Sequence, residues 1–299
     1  MSETTELEDL YSAIEESARL VGVTCPRETV WPILSAYDAA QQTIIAFRVA
    51  SDTRDDGDFH CRFSLGDGVE PYSVAVANGL TTATDHPVGA LLAEMQERCP
   101  IDSSGVDFGV VCGFRKIWVY FPDGDFQRLS TLANLPSMPS SLADNVGLFA
   151  RHGLDDRVDV AGINYHHKSV NLYFPEPPEP ETIRSLHRDI GLPEPSEQML
   201  QFCAGAFGFY TTLTWDSPKV ERISFGARAQ DPMALPIQLG TKIEHFAKNV
   251  AYGADDPKLV YGAVTATGEE YYKLQAYYRW PADGRRRAGR GYPKSRSMN

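Results

Sequence analysis

Polar and apolar side chains alternate strictly along Asp58, Phe59, His60, Cys61, Arg62, Phe63 and Ser64. The pattern returns along Arg222, Ile223, Ser224, Phe225, Gly226, Ala227 and Arg228, and along Tyr271, Tyr272, Lys273, Leu274 and Gln275. A period of two marks strands with one buried face. With the apolar side packed under helices, the charged side must converge on something anionic.

Strands are expected over residues 42–51, 58–65, 106–112, 115–121, 157–165, 168–174, 207–214, 220–228, 258–265 and 270–279. Helices are expected over 6–20, 27–40, 86–98, 140–153, 179–190, 195–204 and 232–251. In the first helix Leu7, Leu10, Ile14, Ala18 and Val21 recur at helical spacing; in the second, Val30, Ile33, Leu34 and Tyr37 do, with Pro32 near its first turn. The unit of helix, hairpin, helix repeats about five times.

Hairpins separated by helices imply antiparallel pairs, because a parallel crossover would put a helix between every two strands. Ten such strands with helices on one face predict an α+β fold closed into a ten-stranded antiparallel barrel, which removes exposed edges. An open sheet with a solvated polar face would carry the same pattern. A closed ten-stranded barrel is too wide for side chains alone to fill, so its lumen could hold a ligand.

The chain of 299 residues has a formal charge of −12. Residues 284–299 hold Arg285, Arg286, Arg287, Arg290, Lys294 and Arg296 and no acid; removing those six charges leaves −18 on residues 1–283. The division expected is one barrel domain over 1–283 followed by a basic, disordered, low-complexity tail over 284–299. So acidic a body repels nucleic acid and anionic membranes in bulk, and any anion site must be a local concentration of cations. Cys25, Cys61, Cys99, Cys112 and Cys203 are odd in number with no C-x-x-C spacing, as reduced thiols in a cytoplasmic protein would be. The acidic start does not resemble a signal peptide, and no apolar run is long enough for a spanning helix.

Alternation assigns the charged face residue by residue. Hairpin one brings Arg48 and Arg62, with Asp58 and His60 in phase with Arg62; hairpin two brings Lys116 in phase with Trp118 and Tyr120. Hairpin three places Tyr165, His167, Ser169, Asn171 and Tyr173 on one face. Hairpin four offers Tyr210, Arg222, Ser224 and Arg228, and hairpin five Lys273, Gln275 and Tyr277. Uncompensated buried cations cost several kcal/mol each, roughly, so their convergence suits an anion of high charge density such as diphosphate. Tyrosine and tryptophan faces stabilise a cation by about 0.5–2 kcal/mol. The two together suit an allylic diphosphate, whose leaving group departs from a carbocation.

Several segments resemble the soluble bacterial aromatic prenyltransferases of the ABBA, or PT-barrel, family over about residues 3–280. They are Gly113, Phe114, Arg115 and Lys116 with Tyr120, Phe121 and Pro122; Leu135, Pro136, Ser137, Met138 and Pro139; Val170, Asn171, Leu172, Tyr173 and Phe174; Leu259, Val260, Tyr261 and Gly262; and Glu269, Glu270, Tyr271, Tyr272, Lys273 and Leu274 with Ala276, Tyr277 and Tyr278. The resemblance implies a solvent-filled lumen in which a dimethylallyl or geranyl group passes from its diphosphate to an electron-rich aromatic carbon by Friedel–Crafts alkylation, in secondary metabolism.

By the same resemblance, diphosphate binders fall on Lys116, Asn171, Arg222 and Lys273, joined by Arg48 and Arg62 as in members that work without metal. Tyr173 and Tyr210 would flank the prenyl chain. Trp118, Val160, Gly208, Ser224, Gln275 and Tyr277 would surround the acceptor, with Gly208 leaving room for a polycyclic ring. His167 stands where relatives commonly carry a lysine, so donor binding should tighten as pH falls. Asp58 matches an aspartate that helps hold Mg²⁺ in magnesium-dependent members, but the guanidinium groups beside it imply that no cofactor is needed.

The expected partners are therefore an allylic diphosphate and a small aromatic acceptor, and the expected state is a monomer. The rival reading is a non-catalytic barrel that sequesters an anionic aromatic metabolite. Asp155, Asp156, Arg157, Val158 and Asp159 spell the D-D-x-x-D of isoprenyl diphosphate synthases, but that motif needs a helix and here runs from a turn into a strand. His166 and His167 would face opposite ways on a strand, which argues against a metal pair.

Overall fold

A computed structural model describes residues 3–41, 44–51, 57–177, 179–253 and 256–279. The basic segment 284–299 and most of the charged turn at 52–57 lie outside the described residues.

Ten strands form five hairpins: β1 (Ile44–Ala50) with β2 (His60–Ser64), β3 (Ser103–Gly109) with β4 (Gly113–Tyr120), β5 (Val160–Asn164) with β6 (Ser169–Pro175), β7 (Ala206–Thr214) with β8 (Arg222–Ala229), and β9 (Lys258–Thr265) with β10 (Glu270–Arg279). Every strand pairs antiparallel with its sequence neighbours, and β1 pairs with β10, so the sheet is a closed barrel. The expected ten-stranded α+β barrel is what the chain forms.

Helices α1 (Glu3–Arg19), α2 (Arg27–Ala36), α3 (Pro71–Ala77), α4 (Val88–Arg98), α5 (Leu129–Ala133), α6 (Ser140–Arg151), α7 (Pro180–Asp189), α8 (Glu197–Cys203) and α9 (Thr241–Asn249) lie outside the wall. The core sits between the two layers. Phe47, Phe59, Phe63, Phe108, Phe174, Phe209 and Phe225 point outward from their strands and are fully buried beside helix residues such as Leu10, Ile14, Phe149, Phe202 and Phe246. Each such burial stabilises the fold by about 1.5–3 kcal/mol. Because the apolar phase of every strand faces the helices, the opposite phase necessarily faces the lumen.

The continuous helix expected over 232–251 is two pieces. A 3₁₀ turn at Pro232–Ala234 ends before Pro236, and α9 begins only after Gly240, whose φ of 82° is left-handed. Strands β3 and β4 begin two to three residues earlier than the alternation suggested, with the turn on 110–112. The short helices α3 and α5 are additional; each spans two turns or fewer, too little for a period to show.

Candidate active site

The hairpin turns gather at one end of the barrel, and the luminal side chains nearest them enclose a cavity of about 370 Å³. Arg48, Arg62, Lys116, Arg222 and Lys273 project into it from β1, β2, β4, β8 and β10, with Asn171 from β6. All seven sequence-assigned diphosphate positions line this cavity, His167 included, as do Tyr173, Tyr210, Trp118 and Gln275.

Polar contacts hold the groups in place. The Thr212 hydroxyl donates to Asn171 Oδ1 at 3.1 Å and accepts from Arg222 Nη2 at 3.0 Å, while Arg222 Nη1 donates to the Tyr271 hydroxyl. Asn171 Nδ2 donates to the Tyr173 hydroxyl at 3.2 Å. The stem of Lys116 lies over Gly162, where an added Cβ would stand 3.4 Å from its Cδ. Burial pushes the Lys116 amine well below the usual lysine range; Asp107 opposes that, and Arg48, Arg222 and Lys273 reinforce it. An anion entering the lumen would reverse the balance.

Aromatic faces stand against these cations. The Trp118 ring lies 4.3 Å from the Arg62 guanidinium carbon and 4.9 Å from Lys116 Nζ. Tyr173 is 5.0 Å from Trp118 and 4.5 Å from Tyr210, and the Tyr271 ring is 5.6 Å from Lys273 Nζ. Burial raises the Tyr173 phenol well above its ordinary range, and Tyr210 adds to this, so the ring stands in the lumen as a neutral π-face.

Placement of the remaining positions is mixed. Val160, Gly208, Ser224 and Tyr277 have luminal register but lie outside the lining of this cavity, toward the end where the helices join. A Cβ at Gly208 would come within 2.7 Å of the Phe174 carbonyl oxygen on β6, so the glycine permits close strand approach. Ser224 is 0% exposed behind its neighbours. Tyr277 accepts a 2.7 Å hydrogen bond from Gln275 Nε2.

The third hairpin departs most from simple alternation. Residues 165–168 form a turn, so Tyr165 swings outward to stack on Tyr72 at 4.7 Å instead of sharing the luminal face. His166 and His167 do not face opposite ways; their rings meet at 4.6 Å beside a second, smaller cavity of about 100 Å³. His167 thus lies at the exposed rim of the larger cavity. Asp58 belongs to that smaller cavity and accepts from the backbone N–H groups of Phe59, Val111 and Cys112, tying β2 to the β3–β4 turn. Among the described residues, no three His, Cys, Asp or Glu side chains stand close enough to hold a metal ion by themselves. The D-D-x-x-D run is a turn leading into β5, as expected.

Asp107 and Arg115 are among the contributors not anticipated. Asp107 is 1% exposed, and its Oδ2 meets Arg48 Nη2 at 2.6 Å. Its phase was readable from outward-facing Val106 and Phe108. Arg115, next to Lys116, should face outward by alternation. A register shift between Asp107 and Phe108 leaves it as the extra residue opposite β3, and its guanidinium turns to His60 and the cavity.

Comparison with known proteins bears directly on this lumen. A family model described as aromatic prenyltransferase Orf2 matches residues 5–288. The chain belongs to this family of aromatic prenyltransferases. It is 54% identical over 289 residues to a flaviolin linalyltransferase of Streptomyces virginiae, covering 95% of this chain and 96% of the relative. A furaquinocin biosynthesis prenyltransferase of Streptomyces sp. (strain KO-3988) is 54% identical over 279 residues, with 92% and 91% covered. A 5,10-dihydrophenazine-1-carboxylate 9-dimethylallyltransferase of Streptomyces anulatus is 48% identical over 286 residues, with 94% and 96% covered. As a member of this aromatic prenyltransferase family, the protein is an enzyme that transfers prenyl groups, and the resemblance read from Lys116, Asn171 and Lys273 was to the right family. No helix among the described residues is long and apolar enough to cross a membrane.

Proposed function

We propose that the enzyme moves a dimethylallyl or geranyl group from its diphosphate to an electron-rich carbon of a hydroxynaphthalene, naphthoquinone, phenazine or hydroxybenzoate acceptor, in antibiotic biosynthesis. One observation carries this reading. Five cationic side chains from five strands meet around the same cavity as the stacked pair Tyr173 and Tyr210.

Arg48, Arg62, Lys116, Asn171, Arg222 and Lys273 hold the diphosphate, with His167 at the rim. They stabilise charge on the leaving oxygen as the C–O bond to the allylic carbon breaks. Tyr173 and Tyr210 flank the allylic cation, and the closed wall keeps bulk water from it. The acceptor ring, lying toward Trp118 and Gln275, attacks the cation to form the new C–C bond. The arenium ion then gives its proton to water or to the departed diphosphate. Magnesium is dispensable on this reading. Two guanidinium groups supply the neutralising charge, Asp107 is paired with Arg48, and the Asp58 carboxylate is engaged with three backbone amides.

The test is purified enzyme with dimethylallyl or geranyl diphosphate, an acceptor panel of those classes and EDTA, read by mass spectrometry. A prenylated aromatic product formed in EDTA is expected. Aromatic binding without any release of diphosphate, with or without Mg²⁺, would instead support sequestration.

A further inference from the structure

A carboxylate deep inside an anion site needs a reason, because it repels the ligand the site is built for. Asp107 is such a group. It is nearly fully buried, its Oδ2 lies 2.6 Å from Arg48 Nη2, and it stands directly across the ladder from Arg62 on β2 and Lys116 on β4. Arg48 continues from it to His60 Nδ1 at 3.5 Å, and His60 in turn meets Arg115. Three strands therefore bring their cations around one negative charge.

We propose that Asp107 is a positioning residue of the diphosphate site, one that fixes Arg48 in its binding orientation and favours the protonated form of Lys116. The proposal rests on the reading of the luminal cations as a diphosphate clamp. Without Asp107, Arg48 would lose the acceptor that sets its direction, and Lys116 would face Arg48, Arg222 and Lys273 in a buried site. Like charges at that range favour deprotonation of Lys116, because the guanidinium groups of Arg48 and Arg222 do not give up their protons. Burial by itself would raise the Asp107 carboxyl, but Arg48, His60, Lys116 and Arg115 hold it down at about 2, so its charge persists wherever the enzyme works.

The discriminating readout is the pH dependence of anion affinity, which a merely structural ion pair would not move. Inorganic pyrophosphate is titrated calorimetrically into Asp107→Asn between pH 6 and 9. At pH 8 its affinity is expected to fall on the order of tenfold or more, with the alkaline limb displaced downward by about one pH unit. Adding Lys116→Arg, whose charge does not titrate in this range, should abolish the displacement. A loss uniform across pH, no loss, or a displacement that persists in the Lys116→Arg background would overturn the proposal. Should Asp107→Asn fail to fold, Arg48→Gln/Asp107→Asn removes both charges of the pair and carries the same test of the Lys116 limb. Lys273→Ala separates the two levels. If that variant binds pyrophosphate like the wild type, the clamp reading fails; if it binds weakly while Asp107→Asn does not, only the role of Asp107 fails.

Discussion

The two ends of this barrel treat a carboxylate in opposite ways. At the hairpin-turn end, Asp107 lies among Arg48, His60, Lys116 and Arg115, which overcome the penalty of burial and keep its carboxyl at about 2. At the end where helices enter the wall, Asp159 precedes β5 with Oδ1 unpartnered, and burial lifts it to about 7 despite its own amide and that of Val160. Across the barrel, the lumen carries the apolar cluster of Ala46, Leu259 and Tyr277 with Ile44 and Tyr261. The two ends are built by the same alternation on the same strands. What differs is position along each strand: on β10, Lys273 and Tyr277 share a face but stand about 13 Å apart. The gradient matches an amphiphile with a charged head and a hydrocarbon tail.

The largest effect expected is at the cationic end. Lys273→Ala should lower turnover about a hundredfold or more while thermal unfolding stays within a few degrees; single-turnover kinetics and a melt measured together would show whether charge or folding is lost. At the boundary, Tyr173→Ala should slow transfer by about tenfold and raise the share of prenyl alcohol, the product of water capture, whereas Tyr173→Phe keeps the π-face and both values near wild type. Equal alcohol yields from all three proteins would detach Tyr173 from the cation. Toward the apolar end, Tyr277→Phe removes the acceptor of the Gln275 hydrogen bond. The acceptor KM should rise about fivefold with the donor KM unchanged, and a change in the donor KM instead would mean that the ends are not separate.

The smallest effect concerns stability. The folded Asp159 carboxyl binds its proton more tightly than the unfolded one, so its contribution is complete below about pH 4 and is lost as pH rises through about 7. Asp159→Asn should therefore melt at least about 2 °C higher than the wild type at pH 8 and show no such gain at pH 4. A gain of the same size at both pH values would rule out titration of Asp159 as its source.

Most of the cation set was legible in the sequence because a strand encodes its facing with period two, and Arg48, Arg62, Lys116, Arg222 and Lys273 lie within regular stretches. Legibility failed where the period did. Arg115 turns inward at a bulge, and Tyr165 turns outward because a turn interrupts the count. The close strand approach at Gly208 likewise shows only in three dimensions. Asp107 was hidden for a chemical reason: a search for groups that attract diphosphate passes over one whose work is on those groups.

The barrel closes by pairing β1 with β10, placing Arg48 opposite Gln275 and Ala50 opposite Lys273. Because ribosomes make β1 first and β10 last, the anion site is withheld until almost the whole chain has emerged. Without β10 the sheet would keep two unpaired edges, on β1 and β9. A product truncated before residue 270 would therefore lack both the closing seam and Lys273.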